Sequence, residues 1–379
     1  MPLLVGGALE LPLGLLADGG RRRRLAVLAG GIVFALSLAA VAGARSFAVL
    51  LAAFTVFFPA SGAFVSLTQA ELMDAWPDRQ AQVMARWDLA GSTGAVAGPL
   101  LVTAVIAARG NWRVAYLVLA VLAAAAWIGT CLRDDHPARA ATGPAPAGPA
   151  DPEEAGPAPA GFAGPEEAGP APAGPAGPEE AGPGEARVRG VLAALRHWAI
   201  VRWLVLLQVA DLLVDVLTGF AALYLVDVAR LSPAVAALAI AVRLGSALAG
   251  DALLIFVLDR MADLTVLRAG ALGAGLLYPG FLLAPGAAAK LALLAVLSAA
   301  TAPWYPLLQA RLYGSLPGRT PVAVTLNSAA GLAGGLGPLA VGLIAGRFGL
   351  SWALAGLAVV PVAVLAGTAG AKKPEPERE

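Results

Sequence analysis

Residues 14–24 read Gly14-Leu15-Leu16-Ala17-Asp18-Gly19-Gly20-Arg21-Arg22-Arg23-Arg24. Four consecutive arginines stand between two apolar runs, residues 1–17 and 25–43. A helix of about 20 mostly apolar residues crosses the hydrocarbon core of a bilayer. The stretch therefore reads as a polar turn between two membrane-spanning helices on the positively charged side. Working outward, nine further apolar segments follow: 46–69, 88–108, 113–132, 199–226, 233–258, 264–284, 288–312, 320–346 and 350–370. They are too long for strands and lack period-two alternation. Hydrophobic residues make up 59% of the 379 and charged ones 13%, and the mean hydropathy is +0.76. A soluble domain carries about a quarter charged residues, so lipid is the main solvent. The expected fold class is an all-α integral membrane protein of about eleven transmembrane helices, five before a linker and six after it. The first segment does not read as a signal peptide, because it lacks a basic start and Glu10 interrupts it.

The linker is compositionally distinct. PEEAGPAPAGFAG begins at Pro152, PEEAGPAPAGPAG at Pro165 and PEEAGPGEA at Pro178. A Pro/Gly/Ala/Glu repeat has almost nothing to bury and is expected to be extended and disordered. This divides the chain into a first bundle (1–132), a linker (133–190), a second bundle (191–371) and a tail (372–379). If the 21–24 loop is cytoplasmic, Lys and Arg favour that side roughly threefold, which puts the linker and the C-terminus in the cytoplasm and the chain in the cytoplasmic (inner) membrane.

Several function classes drop out. A net charge of +1 gives no case for nucleic acid. The single cysteine, Cys131, forms no intrachain disulfide. His136 and His197 flank the linker, far from any carboxylate cluster, so no metal site is expected. No GxxxxGK[ST] loop is present for nucleotide hydrolysis, and no clustered His and Asp suggest a membrane-embedded enzyme. No cofactor is called for.

The 14–24 stretch resembles the signature loop of the major facilitator superfamily, which joins that family's second and third helices. Gly14, Leu16, Ala17 and Asp18 fit its pattern, and Gly20, Arg21 and Arg22 fit with one residue deleted; the basic residue after the Asp is replaced by Gly19. The resemblance implies two pseudo-symmetric bundles of six helices, a loop acting as a conformational latch between them, and a first helix missing before Met1. A weaker echo is Asp259-Arg260 after the 233–258 segment. In segment 88–108, Gly94-Ala95-Val96-Ala97-Gly98-Pro99 is similar to the fifth-helix motif associated with antiporters, although Val102-Thr103 replace its later glycine pair. Physically, Gly91, Gly94 and Gly98 offer a face for close helix packing, and Pro99 bends the helix.

Charges at bilayer depth are candidates for function. Asp211 and Asp215 lie four apart on one helix face. Counted at ~1.5 Å per residue, Asp215 and Arg243 are level near mid-membrane, which predicts an Asp215–Arg243 pair with Asp211 one turn nearer the cytoplasm. A carboxyl in a low dielectric beside another carboxylate holds its proton more tightly, the chemistry that proton coupling needs. The bland alternative is a fixed ion pair joining two helices, with Asp211 solvated by cavity water. Glu10, Gln208, Tyr305 and Asn327 are further candidates for the cavity wall. Gln69, Glu71 and Asp74 are expected at a solvated helix end, Asp88 as the cap that opens segment 88–108, and Asp251 near the cytoplasmic end of its helix.

The resulting expectation is a monomeric, proton-coupled secondary transporter that moves a small molecule by alternating access, with export favoured by the fifth-helix motif. Its partners are the substrate, protons and the lipid bilayer. Uptake or uniport of a metabolite, and a non-transporting remnant, stand as alternatives.

Overall fold

The computed structural model describes residues 20–132, 191–316 and 320–371. Every element among them is helical: α1 (Gly20–Gly43), α2 (Phe47–Ala75), α3 (Gln80–Ala107), α4 (Trp112–Cys131), α5 (Trp198–Leu223), α6 (Pro233–Leu258), α7 (Asp263–Leu283), α8 (Ala287–Thr301), α9 (Trp304–Gly314), α10 (Thr320–Gly334), α11 (Gly337–Phe348), α12 (Leu350–Gly356) and α13 (Val359–Thr368). Three of the last spans are made of two helices each, so the described residues contain ten helical stretches long and apolar enough to cross a membrane. These correspond to ten of the eleven expected segments. The first, 1–17, lies outside the described residues, as do the linker 133–190 and the tail 372–379.

Helix starts follow local chemistry. Ser46 and Ser232 accept hydrogen bonds from the backbone N–H groups of Val49 (3.3 Å) and Val235 (3.4 Å), and Asn111 accepts from that of Arg113 (3.4 Å), which satisfies donors a first turn leaves unpaired. Pro233 at the first helical position costs no hydrogen bond. The breaks fall at Ala302-Pro303, Gly335-Leu336 and Leu357-Ala358. One boundary corrects the sequence reading: α3 begins at Gln80, with Arg79 in the cap position. Asp88 therefore sits two turns inside the helix and caps nothing. The apolar window began too late because the first two turns carry Gln80, Gln82 and Arg86.

The helices form two groups. In the first, α1 packs against α2 and α4, with Phe34 between Phe57 (centroids 5.2 Å apart) and Phe64 (6.4 Å). In the second, α8 packs on α6 and α7, while α5 touches α9, α10 and α13. Side chains such as Leu276 (80% exposed) and Leu283 (83%) face outward, as expected where lipid replaces water. The groups meet through α3 against α6 and α9, and through α2 against α10.

The shared apolar core is confined to one end. From the first group it takes residues between Ala70 and Trp87 only, including fully buried Met73 and Met84, and joins them to Leu308, Leu312, Tyr313 and Leu316. This is the end where Arg23, Arg202 and Arg311 lie. Beyond Ala85, α3 has no buried residue. The interface is thus closed at the arginine-rich end and loosens toward the other.

Candidate functional site

Between the groups, just beyond the shared core, lies a cavity of 370 Å³ lined by Asp88, Ser92 and Ala95 of α3, Asp211 of α5, Arg243 and Asp251 of α6, Ser298 and Thr301 of α8, and Trp304 and Tyr305 of α9. Five helices supply it, with α3 packed along α6 and α9.

Of the sequence candidates, Asp211, Arg243 and Tyr305 come together here. Asp215 stands beside Asp211 and Arg243 as an electrostatic neighbour of both. The expected direct pair is replaced by a looser arrangement. The Arg243 guanidinium donates to the backbone carbonyl of Val214 at 3.1 Å, and Asp215 itself is exposed. Arg243 thus tethers α6 to α5 through backbone and meets the Asp215 charge at longer range. Gln208 goes elsewhere: it lines a separate, largely apolar cavity of 400 Å³ with Leu204, Leu212, Ala333 and Gly334. Asn327 is half-buried on α10 and belongs to neither wall. Glu10, Gly14 and Asp18 lie outside the described residues; Gly20 opens α1, and Arg21 and Arg22 follow in its first turn.

The second-half echo of the loop is not where the ions pair. Asp259 and Arg260 are exposed, and Arg260 donates to the carbonyl of Phe256 in its own helix at 3.2 Å. The pairs at this end are Arg23 with Asp74 (2.7 Å) and Glu71 (3.7 Å), and Arg311 with Asp263 (2.6 Å). In each half, the start of a helix after the polar loop pairs with the end of the helix that follows it, and the signs are reversed between halves. Glu71 and Asp74, expected to be merely solvated, are therefore ion-paired. Gln69 is buried and donates to the Met84 sulfur at 3.1 Å.

The antiporter-like glycines meet no neighbour among the described residues. A Cβ added at Gly91, Gly94 or Gly98 would meet nothing within 4 Å. Asp88, Ser92 and Ala95, about a quarter turn round α3 from these glycines, line the cavity with α6. Close approach occurs instead at Gly250, where a Cβ would stand 2.7 Å from the Ala299 carbonyl oxygen, and at Gly270, 2.6 Å from that of Ala300.

Sequence reasoning missed Asp88 and Asp251 as cavity residues. Asp251 is 2% exposed and accepts a hydrogen bond from the Ser92 hydroxyl across the interface. The signal that could have found them was helix length: a start at Gln80 and an end at Leu258 put both carboxylates two turns from the same end of adjacent, oppositely running helices.

The sequence profile of the Major Facilitator Superfamily matches residues 1–319, and the chain belongs to that family. No curated protein matches it. Among solved structures, it is similar to the Escherichia coli fucose:proton symporter FucP, at 14% identity over 97% of this chain and 88% of that one, with a TM-score of 0.71. The human organic anion transporter MFSD10 is similar at 18% identity, 96% and 83% coverage and a TM-score of 0.65. The proton:xylose symporter XylE gives 12% identity, 96% and 83% coverage and a TM-score of 0.66. At such identities the likeness is one of fold. The chain is accordingly a multi-pass membrane transporter of this superfamily.

Proposed function

We propose that the protein moves a small molecule across the cytoplasmic membrane by alternating access, coupled to protons, and that it works as an exporter. The observation that carries this is the place of Asp211. Its carboxyl lines a cavity between two helix groups whose interface, among the described residues, is closed at the arginine-rich end, so a proton on Asp211 and a substrate beside it share one chamber. Asp215 and Arg243 border that carboxyl and set the field around it, and Tyr305 supplies a hydroxyl in the same wall. The arginine-rich end is assigned to the cytoplasm on charge bias, together with the linker 133–190 that joins bundles 1–132 and 191–371. The chamber then faces outward, Gly20, Arg21 and Arg22 open α1 on the closed side, and the loop motif they share with Gly14 and Asp18 is read as the latch of that side. The protein acts as a monomer and needs no cofactor.

The test is growth of an efflux-deficient bacterial host over a panel of toxic compounds, comparing the chain with Asp211→Asn at matched membrane expression. We expect protection that both the substitution and an uncoupler abolish. Protection surviving both would rule out proton-coupled export. A second reading, proton-driven uptake, draws on the similarity to two proton symporters; it requires accumulation inside the cell rather than protection.

A further inference from the structure

The same chamber holds a second acidic centre that the proposed role of Asp211 does not use. The Ser92 hydroxyl of α3 donates to Oδ2 of Asp251 on α6. Oδ1 of Asp251, equally shut away, has no donor among the described residues. The carboxyl of Asp88, one turn before Ser92 on α3, lines the same wall and is the carboxyl neighbour of Asp251. Two ionised carboxylates accept hydrogen bonds but donate none, and a buried acceptor left without a donor is costly. A single proton supplies the donor that is absent.

Among the described residues no other wall group does so: the Trp304 indole N–H, itself without a partner, lies beside Gly270 of α7. Ser298 and Thr301 of α8 donate to carbonyls of their own helix. Arg243 donates to Val214 and has Asp215 as its charged neighbour. Tyr305 of α9 lies toward Gln69, Asp88 and Asp211. From α5, Asp211 adds a further negative charge near Asp88. The neighbouring Gly250 seats α6 directly on the backbone of α8, which fixes the stretch of α6 that carries Asp251.

We propose that Asp88 and Asp251 hold one proton between them, a second proton-binding site that clasps α3 of one helix group to α6 of the other. Loss of that proton leaves two carboxylates face to face, and their repulsion parts the interface. The clasp rests on the reading that the two groups move against each other during transport, but not on the direction of transport or on a role for Asp211.

The test places spin labels at Asp78→Cys and Met261→Cys in a Cys131→Ser background. These positions border the closed end from opposite groups. Distances are read by double electron–electron resonance in nanodiscs from acidic to alkaline pH. Asp88→Asn and Asp251→Asn each put an amide N–H where the proton was, keeping the hydrogen bond without a titrating group. We expect the unsubstituted pair of carboxyls to give a distance that lengthens as pH rises, each Asn variant to stay short throughout, and Asp211→Asn to keep the response. A distance insensitive to pH with both carboxyls present, or Asn variants that open like the parent, would overturn the clasp. A response lost in Asp211→Asn and kept in Asp88→Asn would move the switch to Asp211, ending this proposal and leaving the proposed function standing. Failure of the growth assay alongside the expected distances would do the reverse.

Discussion

Lys290 shows how one side chain can hold a helix end inside a membrane protein. It is 6% exposed, yet its ammonium donates to the carbonyls of Phe281 (2.9 Å) and Leu282 (3.0 Å) and to the Tyr224 hydroxyl (3.1 Å). The last carbonyls of α7 have no partners within their own helix, and a cation there also meets the negative end of the helix dipole. The rings of Tyr224 and Phe281 lie 5.0 and 5.6 Å from the ammonium, which adds cation–π attraction. We expect Lys290→Met to destabilise the protein by about 1–3 kcal/mol, the scale for a buried hydrogen bond to a charged group. A fluorescence melting curve in detergent reads this; an unchanged midpoint would show that lipid or water replaces the ammonium. Counted from the sequence, Lys290 is only one more cation on the less basic side. Its role required Tyr224, 66 positions away, to fold beside it.

At the scale of elements, the glycines divide into two kinds that the sequence does not distinguish. Gly94 and Gly98 belong to a recognisable motif, but their Cα positions face open space in the described structure. Gly250 belongs to no motif, yet it lets α6 touch the backbone of α8. Gly98→Ala is expected to be neutral or stabilising by up to about 1 kcal/mol, because alanine favours the helix. Gly250→Val is expected to cost about 1–3 kcal/mol through overpacking and to push Asp251 from its place beside Ser92. Thermal stability of the two variants side by side decides; equal melting points would mean that the α6–α8 contact yields. Helix existence was legible from apolar runs of about 20 residues, since each run must satisfy its own backbone in lipid. The true start of α3 was not, because its first two turns are polar and their burial comes from α9 and not from their own composition. That misplacement hid Asp88.

For the whole molecule, the closed end makes a prediction about motion. A Cβ on Gly314 would stand 3.1 Å from Oε1 of Gln80, so the two helix groups come within cross-linking distance there. Cysteines at both positions, in a Cys131→Ser background, are expected to form a disulfide readily and to stop transport when oxidised, with reduction restoring it. Transport that continues with the disulfide intact would mean that this end does not open during the cycle.

The sequence by itself determined that the chain is a many-span helical membrane protein, where most spans lie, and which family it resembles. The first two follow from composition and the length of the apolar runs, because lipid forces each span to close its own hydrogen bonds; the third rests on the motif at residues 14–24. It also singled out Asp211 and Arg243, since charges are conspicuous in apolar runs. Only the tertiary structure decided which charges meet. Helix rotation and crossing put Asp88 against Asp251, turned Gln208 into a different cavity, and replaced a direct Asp215–Arg243 bridge with a hydrogen bond to Val214. These are matters of side-chain direction to within a fraction of a helical turn, fixed by contacts such as Gly250 on Ala299. A single sequence read along its length does not contain those contacts until distant helices are brought together.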